Sequence, residues 1–164
     1  MPPVSFYVVC LVVPWAVCAV GALTPQETLD RLHEGIRFLQ KEHDYTRAEG
    51  IFRSVLDAGD AKYMADANHL LGVTHHYRGP YARSRAKDDP SVPLPDAPTL
   101  AHHTAAAEQY VRRAIEIEPR NYNFYNTLAE IFRLASPKTQ YALAAEAYTQ
   151  AVELLAPGWL ARTE

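Results

Sequence analysis

The sequence predicts an all-α fold of three antiparallel helix hairpins stacked side by side, on three observations. A half-pattern at i, i+3, i+4, i+7 occurs three times: Leu32/Gly35/Ile36/Leu39, Asn68/Leu71/Gly72/His75 and Tyr125/Leu128/Ala129/Phe132. A second half-pattern at i, i+4, i+7 follows each of them: Ala48/Phe52/Val55, Ala107/Val111/Ala114 and Ala144/Tyr148/Ala151. Both spacings place their residues on one face of an α-helix, and no stretch reads as a strand. Small residues beside large ones let a partner helix approach closely. Stacking three such pairs buries a core that no single pair can bury.

The elements follow in order. Phe6 to Leu23 holds no charged residue, Pro14 interrupts it, and small residues gather at Val20-Gly21-Ala22. This reads as a signal peptide over 1–22, with an uncleaved membrane anchor as the competing reading. Secretion or residence in the endoplasmic reticulum lumen is the expectation, and the only membrane contact expected is through this segment. Both cysteines, Cys10 and Cys18, lie within it, so a processed chain has no disulfide to stabilise it.

The first hairpin spans about 25–58. Thr24 caps its first helix, Pro25 takes the first helical position, and Glu27 completes a capping box. His43-Asp44 makes the turn, and the second helix ends before Gly59. The second hairpin spans about 62–118. Its first helix runs to Tyr77 and is expected to stop at Gly79-Pro80. Residues 80–100 hold Pro80, Pro90, Pro93, Pro95 and Pro98, with Arg83, Arg85 and Lys87 ahead of Asp88 and Asp89, and read as an extended, solvated loop. Helix resumes near Leu100 and ends at Pro119. The third hairpin spans about 122–156, with Ser136-Pro137 as the cap of its second helix. Residues 158–164 read as a tail or the start of a further helix.

The segment Ala107-Glu108-Gln109-Tyr110-Val111-Arg112-Arg113-Ala114-Ile115-Glu116-Ile117-Glu118-Pro119, with Tyr125, Leu128, Ala129 and Phe132 after it, resembles the tetratricopeptide repeat family. Asn68, Leu71, Gly72 and Gly79 match the middle repeat. The resemblance covers roughly residues 29–157. The gap between half-patterns is 9 residues in the first pair (39 to 48), 12 in the last (132 to 144) and 32 in the middle (75 to 107). The proline-rich stretch is therefore an insertion in the middle repeat. The resemblance implies a short right-handed solenoid over 24–157 whose first helices line a concave groove. It also implies a non-catalytic adaptor or scaffold that binds a peptide or a partner protein there.

With the three first helices in a common register, His33, Arg37, His69, His76, Asn123, Asn126, Glu130 and Arg133 face that groove. Asn can donate to and accept from an extended peptide backbone, and Arg can pair with a carboxylate. The plainer reading makes them solvated helix residues. No cofactor and no metal centre are expected. Were zinc bound, it would fall to one histidine from each of the pairs His75-His76 and His102-His103, with His76 and His102 as candidates, since adjacent side chains on a helix diverge by about 100°.

A net charge of -3 argues against a nucleic-acid partner. No phosphate-binding glycine loop, nucleophile elbow or His-Glu-x-x-His helix occurs, so no enzyme is expected. The alternative is the substrate-presenting N-terminal region of a larger lumenal hydroxylase, glycosyltransferase or sulfotransferase. Gly158-Trp159-Leu160-Ala161-Arg162 motivates it, because no capping helix closes the stack. Self-association through that open end is a third expectation.

Overall fold

A computed structural model describes residues 23–135 and 140–156, and the described residues form helices and no strand. The signal or anchor segment 1–22, the Ser136-Pro137 cap and residues 158–164 lie outside them. No helix among the described residues is long and apolar enough to cross a membrane.

Helix α1 (Pro25–Arg37) starts at the capping box: the Glu27 amide donates to Thr24 Oγ1 at 3.2 Å, and the Thr24 amide donates to Glu27 Oε2 at 2.7 Å. A π-turn, Phe38–Glu42, extends it, and His43 ends it in the left-handed region at φ 54°. Helix α2 (Tyr45–Ala58) is capped by Asp44 and closed by Gly59, whose φ of 72° suits a residue without Cβ.

Helix α3 (Met64–His76) does not stop at Gly79-Pro80. A second π-turn, Tyr77–Tyr81, carries the rod through Pro80 into α4 (Ala82–Asp88). Proline lacks the amide and crowds the carbonyl four residues back, and a widened turn is a way to keep winding past it. The expected loop over 80–100 is therefore corrected to a short non-helical strap, 89–96. Helix α5 (Ala97–Ile117) starts earlier than expected, because Asp96 caps it (Thr99 amide to Oδ1, 2.7 Å) and Pro98 sits in its first turn. Helix α6 (Tyr122–Ala135) falls on its expected bounds, and α7 (Gln140–Leu155) follows.

Two helix pairs run antiparallel: Arg31 and Gly35 of α1 face Ser54 and Phe52 of α2, and Gly72 and Gly79 face Val111 and His103 of α5. The repeated pattern fills the interior. Ala48, Phe52, Val55, Ala107, Val111 and Ala114 have no exposure, and Ile36, Tyr125 and Tyr148 are half-buried; the remaining positions are buried. Two apolar clusters result. One is built on Leu32, Phe38, Leu39, Phe52, Val55 and Leu71, the other on Val111, Phe124, Leu128, Ile131, Phe132 and Ala144. Helix α3 lies between them, giving Ala65 to the second and Ala67 and Leu71 to the first.

Candidate functional site

Two adjoining features converge where α2, α3, α4, α5 and the strap meet. The first is a histidine cluster positioned by glycine. Gly72, His75 and Gly79 lie at i, i+3 and i+7, on one face. A Cβ on Gly72 would stand 2.5 Å from Cγ2 of Val111, and one on Gly79 would stand 2.7 Å from Cβ of His103. Only without those carbons does α5 come this close, and the approach sets His103 against His75. Their Nδ1 atoms are 2.9 Å apart. His102 joins them: one ring nitrogen of each of His75, His102 and His103 lies within 4.8 Å of the others. Tyr110 stacks on the His75 ring with centroids 5.6 Å apart and planes at 13°.

Behind the cluster stands Glu49, nearly buried, pairing with Arg53 and Arg78 at 2.6 Å each. Its Oε1 is 3.8 Å from His75 Nε2, an atom that is buried without a hydrogen-bond partner. Burial pushes the His75 pKa down to about 4; Glu49 opposes the shift, and His103 and Arg78 add to it. The His103 pKa is lowered too, first by burial and then by Arg78. Both rings are therefore neutral at pH 7.

The second feature is an open cavity of roughly 470 Å³ walled by Tyr45, Tyr77 and Tyr81 on one side and by Val92, Pro93, Leu94 and Pro95 of the strap on the other. Tyr45 and Tyr77 are parallel at 6.1 Å, and Tyr81 meets Tyr77 edge-on at 4.8 Å. Arg78 and Arg85 also line it. Arg78 thus joins the cavity to Glu49 and the histidines.

Of the residues expected to line a groove, His76, Glu130 and Arg133 come together between α3 and α6. His33, Asn123 and Asn126 are exposed, and Arg37 is exposed but paired with Glu42 at 2.9 Å. His69 bonds Thr127 Oγ1 at 2.8 Å and packs on Phe124. His76 is 8% exposed and turns towards Glu130, Arg133 and Tyr81, away from α5. Glu130 bonds both Arg133 and Tyr148; burial alone would raise its pKa, but these partners hold it below the usual range. The pairing expected for the two histidine doublets is likewise corrected: His75 rather than His76 faces α5, and both His102 and His103 reach it. The close approach at Gly79, whose absent Cβ would stand 2.7 Å from Cβ of His103, brings the adjacent pair to one partner. The basic segment is internally engaged as well: Arg83 donates to the Leu134 and Ala135 carbonyls at the end of α6, and Arg85 pairs with Asp89 at 3.4 Å.

Sequence reasoning missed the tyrosine cavity because Tyr45 starts α2 while Tyr77 and Tyr81 lie in the π-turn after α3, so the three meet only in the fold. The signal that was present is the spacing of Tyr77 and Tyr81, one helical turn apart if helix continues through Pro80. Compared with known proteins, the chain matches no family model, no curated protein and no solved structure.

Proposed function

We propose that this chain is a non-catalytic helical-repeat module of tetratricopeptide type that holds an extended, proline-rich segment of a partner protein. The repeat reading is supported by the recurring small-to-large seam, Gly35 against the Phe52 ring and Gly72 against Val111, at matching places in the first and second hairpins. Stacked seams of this kind build a rigid, quasi-one-dimensional support for a binding surface. The apolar run over 1–22 favours action in the secretory pathway.

One observation carries the binding reading: the open tyrosine cavity already accepts the chain's own proline-rich strap along one wall. Aromatic-lined grooves take proline-rich segments because polyproline II is preformed and loses little entropy on docking. Leu94 of the strap is 68% exposed, which leaves an apolar edge beside the opening for a second segment to cover. Apolar side chains and prolines of the incoming peptide would fill the cavity.

An oriented peptide library, probed with the immobilised full chain, tests this. Enrichment of proline beside an apolar residue is expected. The exposed Tyr81→Ala variant should bind the selected peptide at least about fivefold more weakly with an unchanged circular dichroism spectrum. No enrichment, or enrichment indifferent to Tyr81→Ala, would remove the reading.

A further inference from the structure

We propose that His75, His102 and His103 form a site for a single divalent transition-metal ion of borderline softness, Zn²⁺ being the representative, with Glu49 orienting His75 from behind. This site is separate from the peptide-binding reading and stands without it.

Donor chemistry comes first. Three imidazoles suit Zn²⁺ and its neighbours, and an imidazole must be neutral to bind. The ring nitrogens lie within 4.8 Å of one another, and the His75 and His103 Nδ1 atoms within 2.9 Å. Zn–N bonds of about 2.0–2.1 Å at tetrahedral angles put ligand nitrogens about 3.3 Å apart. The His75–His103 pair therefore opens by about 0.4 Å, and the His102 nitrogen closes by at most about 1.5 Å. His102 is exposed, so its ring has room to turn and the ion has a path in.

The hydrogen-bond pattern presets the tautomer. The Glu49 carboxylate stands 3.8 Å from His75 Nε2, just beyond hydrogen-bond reach, and favours a proton on Nε2 over a bare lone pair there. His75 Nδ1 then offers its lone pair towards His103, which donates from its own Nδ1. Metal takes the place of that shared proton: His103 moves its proton to Nε2, and both Nδ1 lone pairs become ligands. His75 would keep its proton on Nε2, beside a carboxylate that a small shift would bring into the outer-shell contact that fixes and strengthens imidazole ligands. The orphaned Nε2 and the carboxylate behind it form an observation independent of the three converging rings. A fourth position, on the His102 side, is left to water.

The seam explains why the site is on α3 and α5. Gly72 and Gly79 bracket His75 on the same face, so the close approach that packs the core also brings the ligands together.

The test uses tag-free full chain, stripped with chelator, because an oligohistidine tag would bind the probe itself. Titration with ZnCl₂ in a calorimeter should show one saturable site, and CoCl₂ should give the visible absorption of a tetrahedral ion. His102→Gln should weaken binding at least about tenfold and His103→Gln about a hundredfold. His102 is exposed, so H102Q keeps the test valid even if H103Q or H75Q fails to fold. Absence of saturable binding, or a site indifferent to H102Q and H103Q, would leave only a hydrogen-bonded histidine cluster and overturn the proposal.

Discussion

At the scale of the residue, the buried histidines divide by face. His75 looks at α5 and His76 at α6, while His69 sits between α3 and α6 on Phe124 and Thr127. Burial lowers the His69 pKa from 6.5 to about 4. The unfolded chain therefore takes up this proton first as pH falls through 6.5, and the fold loses stability from there down to about pH 4. Above pH 6.5 both states are neutral and the slope from this residue vanishes. His69→Gln keeps a hydrogen-bonding amide for Thr127 but does not titrate. Denaturant melts at pH 7, 6 and 5 should show its stability falling less steeply, by up to about 1.4 kcal/mol per pH unit. Identical profiles for the variant and the parent would mean that His69 takes up its proton as readily in the fold as in the unfolded chain.

Elements are decided by glycines and caps. Gly50 lies within α2 with nothing near the position its Cβ would take. Gly50→Ala should stabilise by about 0.5–1 kcal/mol, the helix-propensity difference. Gly72→Ala has the same propensity gain but drives a methyl into the stiff Val111 side chain and to 3.1 Å from the Ala107 carbonyl oxygen. A net loss of about 1–3 kcal/mol is expected, read from denaturant melts of both glycine variants at pH 7. A stable Gly72→Ala would mean that the α3–α5 seam is looser than its geometry implies. The strap and α4 form the element least legible beforehand. Five prolines between 80 and 98 read as loop, yet Pro80 sits in a widened turn and Pro98 in the first turn of a helix. Proline is excluded from regular helix interiors, not from π-turns or N-terminal turns. Counting prolines without assigning their positions hid two helical stretches.

For the molecule as a whole, α3 is the keel: buried residues lie on nearly all its faces, and it separates the two apolar clusters. Local opening should respect that order, since protection follows burial on both sides. Hydrogen exchange should be slowest in α3 and the middle of α5. It should be faster in α1 and α7, which among the described residues pack chiefly on one neighbouring helix each. If α7 outlasted α3, the two clusters would not share a keel, and the stacked-hairpin reading would fail with it.

The sequence by itself determined the helical class, the residues of the seams and the bounds of α6, because an interior face repeats at 3.6 residues and leaves a period in the chain. Thr24 and Glu27 marked the start of α1 for the same local reason: a cap involves residues three apart. The tertiary structure alone decided that His75 faces α5 and His76 faces α6, that Glu49 stands behind His75, and that three tyrosines wall one cavity. These depend on how far a rod winds past Pro80 and how closely two backbones approach at Gly72 and Gly79. Distances between elements are set by packing, which no local pattern records.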